Sequence, residues 1–164
     1  MTISTPTPSV LNRLPEELVA SSSFLLKRLG FVAKDRALEA YENTGLHPYH
    51  HAVLAVLDEG SRETQGAIAD ALGYDRGQLV GLLDELEERG LLERKRDPAD
   101  RRRHIVTMTP AGKSALAKLR ALSQRLEDEF LSSLDERQRA QLHELLFVLA
   151  KDHMPHCAPK LPGA

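Results

Sequence analysis

Residues Gly73 to Thr109 constrain this chain more than any other stretch. Within them Leu79, Leu82, Leu83 and Leu86 form a helical apolar stripe that closes at Gly90, and two short strand patterns follow, Leu91 to Arg96 and Arg103 to Met108. Asp97-Pro98-Ala99-Asp100 between the strands supplies turn chemistry. The ten residues from Arg94 to Arg103 hold six arginines and lysines against two aspartates, on a chain whose formal net charge is -2. Positive charge is therefore concentrated at one hairpin tip. That arrangement suits a polyanion, and nucleic acid is the first partner it implies.

Upstream of the leucine stripe a shorter helix is expected from Thr64 to Leu72, with Ile68, Ala69 and Leu72 on one face and Gly73 after its end. Asp75 is placed to cap the next helix. Two helices separated by so tight a glycine turn have the spacing of a helix-turn-helix, and the hairpin behind them makes it a winged one.

The rest of the chain reads as helix. Aromatic residues make up 4% of the sequence and tryptophan is absent, so leucine and alanine must fill the interior, which favours helices over sheets. From Pro15 to Tyr41 a single helix of about seven turns is expected, with Leu18, Leu25, Leu29, Val32 and Arg36 recurring at three- and four-residue steps or multiples of them. A second runs from His47-Pro48 to Gly60, where the glycine is expected to take a left-handed capping conformation. Thr109-Pro110 opens a helix reaching about Leu131, and Asp135 with Gln138 is a capping-box start to a last helix. Leu142, Leu145, Leu146 and Leu149 line one face of that helix, while Phe147, Val148 and Ala150 make it apolar nearly all round. Such terminal helices are more apolar than one protomer can cover, which implies a helical dimer interface. The expected organisation is a flexible arm over residues 1–14, a helical dimerisation region over 15–46 and 109–154, a winged helix-turn-helix over 47–108, and a flexible tail over 155–164. The fold class is mainly α with a small β-hairpin wing.

No secretory signal is apparent at the N-terminus. The longest apolar run, Leu145 to Ala150, falls far below the roughly 20 residues that span a bilayer. A cytoplasmic protein without membrane contact is expected, and the single cysteine, Cys157, agrees with a reducing compartment. His153, His156 and Cys157 carry metal-capable atoms, but a structural zinc site requires four ligands in closed geometry, so neither metal nor cofactor is expected. No glycine-rich phosphate loop, His-Glu-x-x-His or serine elbow is present, and no active site can be assembled.

Three segments in order give the chain a family likeness: Leu86-Glu87-Glu88-Arg89-Gly90-Leu91-Leu92-Glu93-Arg94, then Asp97-Pro98-Ala99-Asp100-Arg101-Arg102, then Met108-Thr109-Pro110-Ala111-Gly112. Over about residues 16 to 150 the sequence resembles the MarR (multiple antibiotic resistance regulator) family of winged-helix transcription factors. The resemblance implies a homodimer on pseudo-palindromic promoter DNA, released under small-molecule or redox control. Gly77 and Gly81 depart from the family pattern, in which many members carry Ser or Thr and Arg or Lys at those places.

With the leucine stripe facing inward, Arg76, Gly77, Gln78 and Gly81 are expected on the face turned to the major groove. There Gln78 suits adenine, and Arg76 guanine or a phosphate. Arg101, Arg102 and Arg103 are expected on phosphates or in the minor groove. The resemblance gives Asp100 the role of holding an arginine and shaping the wing. It also places effectors where the dimerisation helices meet the winged domain, which makes Phe24, Arg28, His47, His50 and His51 candidate contacts for a small phenolic or carboxylate effector. Ordinary helix-start and core roles are the alternative for these histidines. The favoured function is a sequence-specific, ligand-responsive repressor. The alternative is a winged-helix adaptor that binds another protein without specific DNA binding.

Overall fold

The structure, a computed structural model, describes residues 13–60 and 63–154. The expectations for residues 1–12 and for the tail with His156 and Cys157 lie outside the described residues. The chain divides into two compact units, with the boundary between Arg36 and Ala37.

The first unit holds α1 (Glu16–Val19) and most of α2 (Ser22–Glu42). One continuous helix was expected from Pro15 to Tyr41, and the structure interrupts it at Ala20-Ser21. The cause is local. The Ser21 hydroxyl accepts the Phe24 N–H at 3.3 Å, and a serine oxygen that satisfies a first-turn donor starts a new helix. Leu25, Leu29 and Val32 of the expected stripe are all exposed in this chain.

The second unit begins with the last turn of α2 and continues through α3 (Pro48–Gly60), β1 (Glu63–Thr64), α4 (Gln65–Leu72), α5 (Arg76–Glu88), β2 (Leu92–Arg96), β3 (His104–Met108), α6 (Pro110–Phe130) and α7 (Glu136–His153). Three helices, α3 to α5, surround one core. Val53, Leu54 and Leu57 enter it from α3, Ile68 and Ala69 from α4, and Leu79, Leu83 and Leu86 from α5. Spacings of three and four residues place each set on one helical face. Leu92 and Val106 close the core from the sheet, and Leu116 and Leu119 from the first half of α6. Leu82, the fourth leucine of the α5 stripe, is half-buried at the edge.

Local capping explains most helix ends. Thr64, Asp75, Thr109 and Asp135 each accept a backbone N–H of the first turn of the helix they precede, and Asp135 with Gln138 completes the expected capping box. Gly73 stops α4 at φ 65°, and Gly90 follows α5 at φ 68°. Gly60 does not adopt the expected left-handed conformation: it is the last residue of α3 and has no positive φ.

The sheet is antiparallel with order β1-β3-β2. The expected hairpin is its larger part, with Leu92 opposite Met108 and Arg96 opposite His104. A third strand, β1, pairs Glu63 with Val106 and Thr64 with Ile105. It ties the start of α4 to the wing root. No helix among the described residues is long and apolar enough to cross a membrane.

Candidate nucleic-acid interface

Helix α5 begins after a three-residue turn, residues 73–75. The Asp75 carboxylate accepts the Gln78 N–H at 2.8 Å, which fixes the orientation of the first turn. With Leu79, Leu83 and Leu86 buried, Arg76, Gly77, Gln78 and Gly81 all fall on the exposed face. A Cβ added at Gly81 would meet nothing within 4 Å, so this face is shallow at that point.

The wing tip is built by its two aspartates. Asp97 Oδ1 accepts the Ala99 N–H at 2.9 Å, and Asp100 Oδ1 accepts the Arg102 N–H at 3.0 Å. Asp100 Oδ2 stands 3.3 Å from Arg103 Nε, so the acid organises the turn and orients an arginine, Arg103, at once. Arg101 and Arg102 have exposed side chains with no acidic partner among the described residues. The structure brings Arg76 of α5 together with Arg102 and Arg103 of the wing around one open cleft of about 630 Å³, with His104 also on its wall. Gly77, Gln78, Gly81 and Arg101 are exposed outside that lining.

The basic segment is not uniformly directed at a ligand. Arg94 turns back onto α5, where its guanidinium donates to Glu87 at 2.9 Å and to Asp84 at 2.6 Å. Its backbone N–H also donates to Glu87, at 3.0 Å. Hydrogen bonding to Arg94 holds the Glu87 carboxyl below its ordinary range and raises the guanidinium in return. Lys95 pairs with Glu93 at 2.8 Å on an exposed surface, where such a pair contributes little. Arg94 is therefore a strut between α5 and the wing, where the sequence alone counts it only as charge. The seven-residue step from Glu87 to Arg94 across a glycine turn was the available signal.

The histidines of α3 have partners of their own. His50 is buried, and its Nδ1 accepts the His47 N–H at 2.9 Å, closing the first turn of α3. Its Nε2 lies 2.9 Å from Glu85 Oε2 of α5, but off the direction of a ring N–H, so that contact is electrostatic and the atom has no directional partner. Burial pushes the imidazole below its ordinary value of 6.5; Glu85 opposes the shift, and Arg89 and His47 reinforce it. His51 Nδ1 sits 2.7 Å from the Tyr41 hydroxyl, and burial, with Arg120 nearby, lowers its pKa as well. Phe24 is half-buried and Arg28 exposed, both in the first unit. Among the described residues no group of three or more His, Cys, Asp and Glu is placed to hold a metal ion.

A profile of the MarR family matches residues 44–103, from the turn before α3 to the wing. A Thauera aromatica protein assigned to regulation of the hcr operon is 35% identical over 102 residues, 62% of this chain and 61% of that protein. This chain's match thus spans less than two thirds of that relative's length. Among solved structures, the repressor CouR bound to a 23-mer DNA duplex is similar at 34% identity and TM-score 0.76, covering 84% of this chain and 99% of that one. CouR from Rhodococcus jostii RHA1 bound to p-coumaroyl-CoA is similar at 27% identity and TM-score 0.70, covering 83% and 96%.

Proposed function

Since this chain belongs to the MarR family of transcriptional regulators, we propose that it is a cytoplasmic homodimer that binds pseudo-palindromic promoter DNA as a ligand-responsive repressor. The observation that carries the reading is the cleft where Arg76, Arg102 and Arg103 meet beside the exposed face of α5. In this reading Gln78 and Arg76 read base edges in the major groove, while Arg101 and Arg102 neutralise phosphates or enter the minor groove. Arg103, held by Asp100, gives a wing contact of fixed direction. The glycines at 77 and 81 add no side chain to the readout, so more of the affinity rests on the wing. Residues 47–108 form the DNA-binding region, and 15–46 with 109–154 the dimerisation region. Repression follows most simply, because occupancy of a promoter blocks polymerase without further contacts.

Effector control is proposed by analogy with CouR, whose structure holds p-coumaroyl-CoA. A small phenolic or carboxylate compound is the class considered for this chain, with Phe24, Arg28, His47, His50 and His51 as candidate contacts. Of these, His50 sits against Glu85 on the recognition helix, which supports transmission from α3 to α5.

The test is fluorescence anisotropy with the duplex upstream of its own reading frame and with a scrambled duplex, each at two salt concentrations. The expected result is native-site binding tighter than the scrambled control by about a thousandfold or more. Replacing Arg101 and Arg102 by glutamine is expected to weaken both and to flatten the salt dependence by about one unit of slope per lost phosphate contact. Equal, weak and salt-abolished binding to every promoter duplex tried would overturn the reading in favour of a protein-binding adaptor.

A further inference from the structure

Helix α5 withdraws its apolar residues from solvent with one exception. Leu79, Leu83 and Leu86 face the core and Leu82 is half-buried, whereas Val80 is 41% exposed. Stability does not account for a valine there: a β-branched side chain on an exposed helix face is worse for the helix than alanine and gains no burial. Its surroundings are more informative than its exposure. Val80 follows Arg76 by one helical turn, and both line the cleft whose other arginines, Arg102 and Arg103, come from the wing. An isopropyl group thus shares the site assigned to DNA with three guanidinium side chains.

The helix surface beside Val80 is bare. Gly77, nearly one turn before it, and Gly81, next in sequence, both adjoin it on the exposed side. A Cβ added at Gly81 would meet nothing within 4 Å, and one at Gly77 would meet the Asp75 carboxylate at 3.1 Å. Neither position carries a side chain that would hold α5 away from a surface, so the helix can seat deeply and a side chain as short as valine can reach the floor of a groove. Valine has no donor and no acceptor. It neither neutralises a phosphate nor pairs with the polar atoms of a base edge, and an amino or carbonyl group pressed against it would lose water without gaining a partner. The apolar group that the major groove displays is the C5-methyl of thymine.

We propose that Val80 is a specificity-determining residue of the DNA interface, its γ-methyl groups packed on the C5-methyl of one thymine in each half-site while the arginines of the same cleft carry the electrostatic part of binding. This rests on the regulator reading and deepens it, because it names a base that is chosen without a hydrogen bond.

The experiment first selects a preferred duplex from a random-sequence library with the full-length protein. Each thymine of that duplex is then replaced, symmetrically in both half-sites, by deoxyuridine, which removes the methyl group and leaves every hydrogen-bonding atom in place. Affinities of the parent and of Val80→Ala are measured by fluorescence anisotropy. The parent is expected to show one thymine position at which the replacement weakens binding about fourfold per half-site, the worth of one methyl group withdrawn from water. In Val80→Ala the same replacement is expected to change affinity by less than about twofold, with every other thymine position responding alike in the two proteins. Alanine favours helix at an exposed position, and the deoxyuridine arm needs no change in the protein, so a folding defect cannot imitate the coupling. If no thymine is methyl-sensitive in the parent, or if parent and variant lose equally at the same one, the proposal is overturned and the regulator reading stands. A library that yields no preferred duplex overturns the regulator reading and this proposal with it.

Discussion

His50 is where a single proton changes most. Its Nδ1 already accepts the His47 N–H, so an imidazolium would set two N–H groups against each other and open the first turn of α3. Burial is the larger influence and disfavours the charged form, while the Glu85 carboxylate, more than half exposed, offsets only part of it. The folded-state pKa is therefore below the unfolded value near 6.5. Between those two values the unfolded chain binds more protons, so stability is fully present above about pH 6.5 and is lost as pH falls toward the lower folded value. His51 has the same sign. Thermal melts at pH 7.5 and 5.5 are expected to show a lower melting temperature in acid. His50→Asn, whose side-chain oxygen can still accept the His47 N–H, is expected to show a smaller drop; equal drops in both proteins would remove His50 from the explanation. The sequence located three histidines at a helix start, but which of them turns inward depends on α5 packing against α3. That relation is tertiary, and no local pattern encodes it. Arg94 was legible as charge, and its step of seven from Glu87 hinted at a partner, but its direction is set only when Asp84 and Glu87 of α5 face it.

At the scale of elements, legibility followed locality. The caps at Thr64, Asp75, Thr109 and Asp135 use a side chain and a backbone donor three residues apart, and each was readable in the sequence or marks a readable helix start. The break at Ala20-Ser21 is also local, yet the apolar period runs through it and masks it. Strand β1 is two residues long and exists only because β3 offers it a free edge, so nothing in Glu63-Thr64 announces it. The Met108 to Gly112 motif was legible as a resemblance, and the structure supplies its physics. Thr109 receives its cap role and also donates its hydroxyl to Gly90 O at 2.7 Å, while its N–H donates to Leu91 O at 3.1 Å. These bonds draw the start of α6 onto the root of the wing so closely that a Cβ on Gly112 would run into the Leu91 carbonyl, with Met108 Cγ 2.7 Å away. Gly112→Ala therefore gains roughly 1 kcal/mol of helix propensity but meets a backbone obstacle, and overpacking of that kind costs about 1–3 kcal/mol. The net expectation is destabilisation in urea denaturation at fixed protein concentration, together with weaker DNA binding as the wing root shifts. A variant as stable as the parent would mean that α6 can move away from Leu91 without loss.

On the scale of the whole molecule, the question is what covers the leucines that remain in solvent. Helix α7 buries none of its residues in this chain, and Leu145 and Leu149, one turn apart, are 60% and 46% exposed. Val148 between them is 59% exposed. The helix is nevertheless well formed from its capping box to His153, and a helix of this length owes most of its stability to a packed apolar face rather than to propensity. A second copy of the chain is the occupant proposed above, and it also resolves the charge problem: a net charge of -2 is compatible with DNA if two basic wings approach successive major grooves about 34 Å apart and the acidic helices stay clear. The substitution Leu145→Glu/Leu149→Glu tests this directly. Burying one leucine contributes about 1.5–3 kcal/mol, so loss of two is expected to weaken dimerisation by about a hundredfold or more. Sedimentation velocity should then show monomer at micromolar concentration, circular dichroism should retain the helical signal, and a palindromic duplex should bind no better than one half-site. If the variant sediments as a dimer and keeps its preference for the palindrome, α7 is not the interface, and the exposed Leu25 and Leu29 of α2 become the next surface to substitute.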